Sequence, residues 1–411
     1  MADGLPASRV PDSFGVNVSG IDLTDDDFER MTELNVHWVR RGILWTQVEK
    51  EKGEFTWDQA DAFVNELEEH GLGLVSPVAF GNTLYEPGQH WIGVRTEAGR
   101  EGYANYAANL VGRYKDKKII WEIWNEPNGS FWEPEANADQ FMDMVDVAIP
   151  RMREADPDCT IVGPSLYNIG WPKAMAWLEV CLQRGLHEKV DGISFHSYAG
   201  RNTNSQPELN IQWHQELRAL LAKYGAPEDY PIIQSEYGIN VQSHEFSGSR
   251  IERETQQAQT VTRSYLIMLM LEMPVNIHYE WQSRTKSTRG DKGLINRDGT
   301  TAIAYDAFNV LTDLLDGYAV DRRLAGHDAD DYILVLTNSD GHTRLAAWTT
   351  AEPHEVAIPV NHADAADVWD LLGEKHGVEV EDGMISIQLD HGPTYVGLGA
   401  GSVGETAAVD R

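Results

Sequence analysis

Glu126 and Glu236 are the two residues of this chain whose types and setting could do chemistry together. Each closes an apolar run. Ile119-Ile120-Trp121-Glu122-Ile123-Trp124 leads into Asn125-Glu126-Pro127-Asn128-Gly129-Ser130, and Tyr230-Pro231-Ile232-Ile233 leads into Gln234-Ser235-Glu236. Two carboxyl groups facing one another can cleave a glycosidic bond: one gives a proton to the leaving oxygen and the other, ionised, attacks the anomeric carbon. Taken singly, each glutamate reads equally well as a surface ion-pair partner, and the shared position at a strand end is what pairs them. Asn125 could hydrogen bond a sugar hydroxyl next to the reacting carbon, a contact that strengthens in an oxocarbenium-like transition state. Its alternative is a turn residue satisfied by backbone.

Such a pair needs a scaffold that brings residues 110 positions apart to one mouth. Eight short apolar runs, at 14–18, 36–44, 72–80, 119–124, 160–162, 190–195, 230–233 and 274–279, are each followed by helical periodicity. Thr24 before Asp25-Asp26-Asp27 reads as a helix cap, Gly71 as a helix stop, and Pro172 as a first-turn residue. The last helix, 303–315, is closed by Gly317. This alternation predicts an α/β fold, a (β/α)8 TIM barrel over 1–317, with its chemistry at the C-terminal ends of the strands. Beyond Gly317, alternating segments at 332–336, 343–348, 356–360, 384–389 and 394–398 predict a small C-terminal antiparallel β domain, sandwich-like, over 318–399. Residues 400–411, rich in Gly, Ala and acids, read as a flexible tail. The β domain reads as structural, with Trp348 and Trp369 the residues of an alternative glycan-binding role.

At these residues a family resemblance becomes specific. Trp121-Glu122-Ile123-Trp124-Asn125-Glu126-Pro127-Asn128, with Pro231-Ile232-Ile233-Gln234-Ser235-Glu236-Tyr237-Gly238, resembles the paired motifs of the clan A retaining glycoside hydrolases, and over 14–317 the chain is similar to their cellulase-like and β-xylosidase-like branches. The resemblance implies that Glu126 is the acid/base and Glu236 the nucleophile. It implies that Arg40, in Trp38-Val39-Arg40, supports the nucleophile, that His196 and Tyr198, in Ser194-Phe195-His196-Ser197-Tyr198, approach the two carboxylates, and that Trp281 is an aromatic platform. Where several clan members have a His at the end of the third strand, this chain has Ser76, Phe80 and Asn82.

The residues themselves allow other readings. An Arg40 beside Glu236 would keep that carboxylate ionised, while apolar surroundings and the charge of Glu236 would raise Glu126. Arg40 could instead pair with Glu49 or Glu122, and His196 could be a satisfied core histidine. Trp45, Tyr85, Trp91, Trp124, Phe131, Trp132 and Tyr237 are candidate sugar-stacking rings or packing residues. The function these features imply is a retaining O-glycoside hydrolase acting on a β-linked glycan or oligosaccharide. The alternatives are a non-catalytic carbohydrate-binding protein on a degenerate barrel, and a transglycosidase.

Composition narrows the partners. Of 411 residues, 33 are basic and 65 acidic, a formal charge of −32 that repels phosphate backbones and argues against nucleic acid or an anionic membrane. Scattered acids of this kind suit a hydrated surface adapted to high salt. Cys159 and Cys181 sit in apolar settings that suit buried thiols, and neither metal-ligand spacing nor a phosphate-binding loop is present, so no cofactor and no metal is expected. With no leader pattern at the start, a cytoplasmic location is expected unless a signal was removed. The oligomeric state is left open.

Overall fold

The structure, a computed structural model, describes residues 4–88, 91–198, 205–283, 291–324, 328–362, 365–399, 401–404 and 408–409. Eight parallel strands close into a barrel: β1 (Phe14–Asn17), β2 (Trp38–Arg40), β3 (Gly73–Val78), β4 (Ile119–Ile123), β5 (Thr160–Tyr167), β6 (Gly192–His196), β7 (Ile232–Tyr237) and β8 (Asn276–His278). Each pairs with its sequence neighbour, and β1 closes the ring against β8. The principal connecting helices are α1 (Asp25–Glu33), α2 (Asp58–Glu69), α3 (Glu97–Arg113), α4 (Ala138–Ala155), α5 (Pro172–Gln183), α6 (Leu209–Lys223), α7 (Arg250–Met270) and α8 (Ile303–Leu314).

Local signals set where these helices begin. Thr24 and Asp27 form a reciprocal capping box at α1, and Ser249 and Glu252 form another at α7, so free N–H groups at both starts are satisfied. Pro172 opens α5, where its missing N–H costs nothing. Among the described residues no helix is long and apolar enough to cross a membrane.

Strand alternation builds the barrel interior in layers. Trp38, Val75, Ile120, Val162, Ile233 and Ile277, on six of the strands, form one apolar cluster with Val275 just before β8. Two residues further along β2 and β4, on the same strand face, stand Arg40 and Glu122, both buried. A charged layer therefore lies directly above the apolar one, toward the strand ends.

The C-terminal part is a pair of antiparallel sheets. β9 (Ala319–Leu324), β10 (Asp331–Thr337), β11 (Thr343–Thr349), β12 (His354–Asn361), β13 (Ala365–Trp369), β14 (Lys375–Glu379), β15 (Met384–Leu389), β16 (Thr394–Gly397), β17 (Ser402–Val403) and β18 (Ala408–Val409) follow in order. The larger sheet runs β14-β13-β16-β11-β10-β9-β18 and the smaller β15-β12-β17. Ile333 and Val335 face the core between the sheets, with Ile358 and Ile387. Leu334, Leu336 and Trp348, on the opposite face, join the apolar cluster of the barrel's helices. Both faces of the central strands are thus buried. Two pieces beyond residue 399 also pair, β17 with β12 and β18 with β9.

Candidate active site

The chain leaves β4 through a sharply turned segment. Trp124 and Glu126 both hold positive φ, 67° and 53°, a region that costs a side-chain-bearing residue about 1–2 kcal/mol. The turn is held by backbone: the Glu126 N–H donates to the Ser165 carbonyl at 3.0 Å, and Gly129 N–H returns to the Glu126 carbonyl at 3.0 Å. Non-glycine residues in this conformation concentrate at functional sites. Here the turn places the Glu126 carboxylate over the barrel, where Oε1 meets His196 Nδ1 at 2.7 Å.

Glu236 lies within β7 and keeps 13% of its side chain exposed. Tyr198 donates its phenol to Oε1 at 2.9 Å, and Arg40 Nη1 reaches Oε2 at 3.0 Å. Single ligand atoms of Glu126, His196 and Glu236 all lie within 4.8 Å of one another. Those three could in principle present themselves to an ion, but the Glu126 oxygen and both ring nitrogens of His196 already have protein partners.

Arg40, fully buried, organises the layer beneath. Its Nε and Nη2 hold Glu122 Oε2 at 2.9 and 2.7 Å, and Nη2 also reaches Asn125 Oδ1 at 2.7 Å. Nη1 adds Asn17 Oδ1 at 3.3 Å to its contact with Glu236. Two of the three partners proposed from sequence, Glu122 and Glu236, are therefore real at once, whereas Glu49 takes the Trp45 indole, the Tyr85 hydroxyl and the Gly53 N–H instead. Removing one member of such a buried set typically costs 3–5 kcal/mol, because its partner is left charged and unpaired. With its carbonyl oxygen held by Arg40, Asn125 makes no hydrogen bond through its NH2 group among the described residues, which leaves that group for a ligand.

The histidine tautomer follows from the same geometry. His196 Nε2 faces Ser165 Oγ at 2.9 Å and Arg40 Nη2 at 3.3 Å, and a guanidinium can only donate. Nε2 is then the acceptor, and Nδ1 carries the proton toward Glu126. Burial pushes the Glu236 carboxyl up, but the cations Arg40 and Lys292 and the Tyr198 hydrogen bond act against it, and the net direction is down. Burial, then the charge of Glu236, holds the Tyr198 phenol well above its ordinary value, so it remains a donor. Tyr167 is pushed up by burial and by the charges of Glu126 and Glu236.

Six of the seven site residues read from sequence are thereby linked in one network: Glu126, Glu236, Arg40, Asn125, His196 and Tyr198. Trp281 stands apart. Its ring is 2% exposed, its indole N–H donates to Asp27 Oδ1 at 2.7 Å, and it packs near Tyr305, so it offers no open face. Trp45, Trp124, Trp132 and Tyr237 are likewise buried, while Trp91 is 43% exposed and meets Phe131 edge-on. Sequence reasoning did not select Asn17, Ser165, Tyr167 or Lys292. Asn17 ends β1, a position equivalent to that of Arg40 in β2. Ser165 and Tyr167 lie on β5 beyond a Gly-Pro that reads as a strand stop. Lys292 comes from a loop, held through its carbonyl by His278 Nε2 at 2.9 Å, with its ammonium 4.8 Å from the Tyr198 ring centre and 5.0 Å from that of Tyr279.

Comparisons with known proteins agree with this architecture. Residues 24–272 match the family model Cellulase (glycosyl hydrolase family 5). A β-xylosidase of Geobacillus stearothermophilus is 23% identical over 150 residues, covering 32% of this chain and 29% of that protein. An endo-1,4-β-xylanase A of Phanerodontia chrysosporium is 25% identical over 199 residues, covering 45% and 48%. The chain thus spans less than half the length of these curated relatives. In three dimensions it resembles a family 39 glycoside hydrolase of Bacteroides cellulosilyticus WH2, with a TM-score of 0.80, 22% identity, and coverage of 95% of this chain and 81% of the other. The fold is therefore that of the clan A glycoside hydrolases, and with more than half its length under the family model, this chain belongs to the cellulase family, glycosyl hydrolase family 5.

Proposed function

We propose that this protein is a retaining glycosidase that cleaves a β-linked glycan by double displacement, with Glu236 as nucleophile and Glu126 as acid/base. The observation that carries the reading is the carboxylate pair: an oxygen of each within 4.8 Å, set in unlike surroundings. Retaining enzymes hold their carboxyl groups about 5–5.5 Å apart, whereas inverting ones leave about 6.5–9.5 Å for a water. Glu236, kept low by two cations and a phenol, attacks the anomeric carbon as Glu126 gives its proton to the leaving oxygen. The Glu236–glycosyl ester then forms. Glu126, now a carboxylate, takes a proton from the incoming water, which attacks the same carbon from the opposite side and restores the starting configuration. His196 holds the Glu126 carboxylate through both steps, and the Asn125 NH2 is placed to bind the hydroxyl beside the reacting carbon.

The curated relatives are a xylosidase and a xylanase by name, which puts β-xylosides and xylan first among the substrates, followed by β-glucosides, β-glucan and mannan. The test is turnover of these compounds by the wild type and by Glu236→Ala. The substitution should lower turnover roughly a thousandfold or more, and azide should restore it while yielding the glycosyl azide of inverted configuration. Near-wild-type turnover by Glu236→Ala would refute the assignment.

A further inference from the structure

Outside the catalytic pair, a cavity of about 970 Å³ lies at the junction of the barrel and the C-terminal part. Its barrel wall is made by the segment before α6, the loop after β7, and α7, so it opens on the loops of the two strands that bear His196 and Glu236. The opposite wall comes from the larger C-terminal sheet and neighbouring loops. Its size is that of a ligand site, and such sites favour junctions between domains.

Glu208, in its floor, is 9% exposed. Oε1 accepts from the Trp348 indole at 3.0 Å and lies 3.4 Å from Arg263 Nε, which ties barrel to sheet. Oε2 is buried without a hydrogen-bond partner, a state that costs about 1–3 kcal/mol. Arg263 already balances the charge of Glu208, so what Oε2 lacks is a neutral donor such as a hydroxyl rather than a cation. Gln206 and Gln259, also lining the cavity, make no side-chain hydrogen bond among the described residues. Glu245, Glu252 and Asp330 at the walls repel anions, which excludes phosphate and acidic sugars. Ile251, 69% exposed, supplies apolar surface for the C–H face of a sugar ring.

We propose that this cleft binds a run of neutral sugar units, a second glycan site that holds a distal stretch of chain while the carboxylate pair acts elsewhere on it. The proposal rests on the glycan reading of the catalytic site. Calorimetry on the full chain carrying Glu236→Gln, titrated with xylohexaose and with cellohexaose, tests it. One of the two should bind at two molecules per chain, falling to one when Thr255→Trp fills the cleft, and Gln206→Ala with Gln259→Ala should weaken the second event at least fivefold. With Glu236 intact, Thr255→Trp should leave kcat/KM on a short aryl glycoside unchanged and raise KM on the polymer several-fold.

A stoichiometry of one or none with both sugars, or a second event that survives both sets of substitutions, overturns the proposal. Failure of the wild type to turn over any aryl glycoside or polymer sinks the hydrolase reading instead, and the calorimetry still decides the cleft.

Discussion

Arg40 touches Glu122, Glu236, Asn125 and Asn17 with one guanidinium, so the acid layer of the barrel is held by a single cation that cannot lose its proton. A lysine could not replace that fork. Lys292 adds a second cation to the same side of Glu236, above the Tyr198 ring whose hydroxyl donates to the carboxylate. Because the Glu236 carboxyl lies below the ordinary 4.5, it stays ionised into the acid range. Lys292→Met should raise it, moving the acid limb of the kcat/KM profile to higher pH and leaving the alkaline limb in place. The linked stability has the same sign: it is present above 4.5 and is lost as pH falls through the folded value, so the variant should unfold at a higher pH on acidification. A profile superimposable on that of the wild type would show that Lys292 does not act on Glu236. At this scale the strand-end residues were legible because alternation and position name them. Lys292 was not, since a loop lysine carries no periodic signal, and Trp281 was misplaced as an open platform because sequence position cannot tell a ring on the mouth from one buried under α1.

The strands show why some elements could be read and others could not. Barrel strands buried on both faces appear as near-continuous apolar runs, and all eight are visible as such. β5 was read as ending at 162 because Gly163-Pro164-Ser165 has the composition of a stop. In the structure the strand continues to Tyr167, with a register shift against β6 between Gly163 and Leu166 and Ser165 at φ 56°. That irregularity turns the Ser165 hydroxyl onto His196 and its carbonyl onto the Glu126 N–H. Ser165→Ala should therefore keep the fold and lower kcat roughly tenfold, the value of about one hydrogen bond, with little change in KM. Unchanged kcat would mean that His196 is held well enough by Glu126 alone. β14 was missed for a different reason: Lys375-His376-Gly377-Val378-Glu379 is exposed along most of its length and shows no alternation.

At the scale of the molecule, the C-terminal sheet is a second wall of the barrel. Leu334, Leu336, Ala346, Trp348 and Tyr395 belong to the same buried cluster as the barrel's helices, and the Trp348 indole meets Glu208. The two parts should accordingly unfold together. A chain cut after Gly317 would expose the apolar surface of α7 and α8, and it should melt at least roughly 5 °C below the full chain or fail to stay in solution. Equal melting temperatures by calorimetry would show the barrel to be independent. The order of layers was legible from the change of period at Gly317, from helical to alternating. That β10 and β11 are buried on both sides was not, since their near-continuous apolar runs do not say which neighbour covers each face.

The most direct test of the central claim is the identity of the residue that takes the sugar. The wild type, incubated with the 2-deoxy-2-fluoro β-glycoside of whichever sugar it hydrolyses and digested after denaturation, should yield a mass increase of one fluoroglycosyl group on the peptide bearing Glu236. An adduct on Glu126 or on any other residue, or inactivation with no adduct and an inverted product from the parent substrate, would contradict the account.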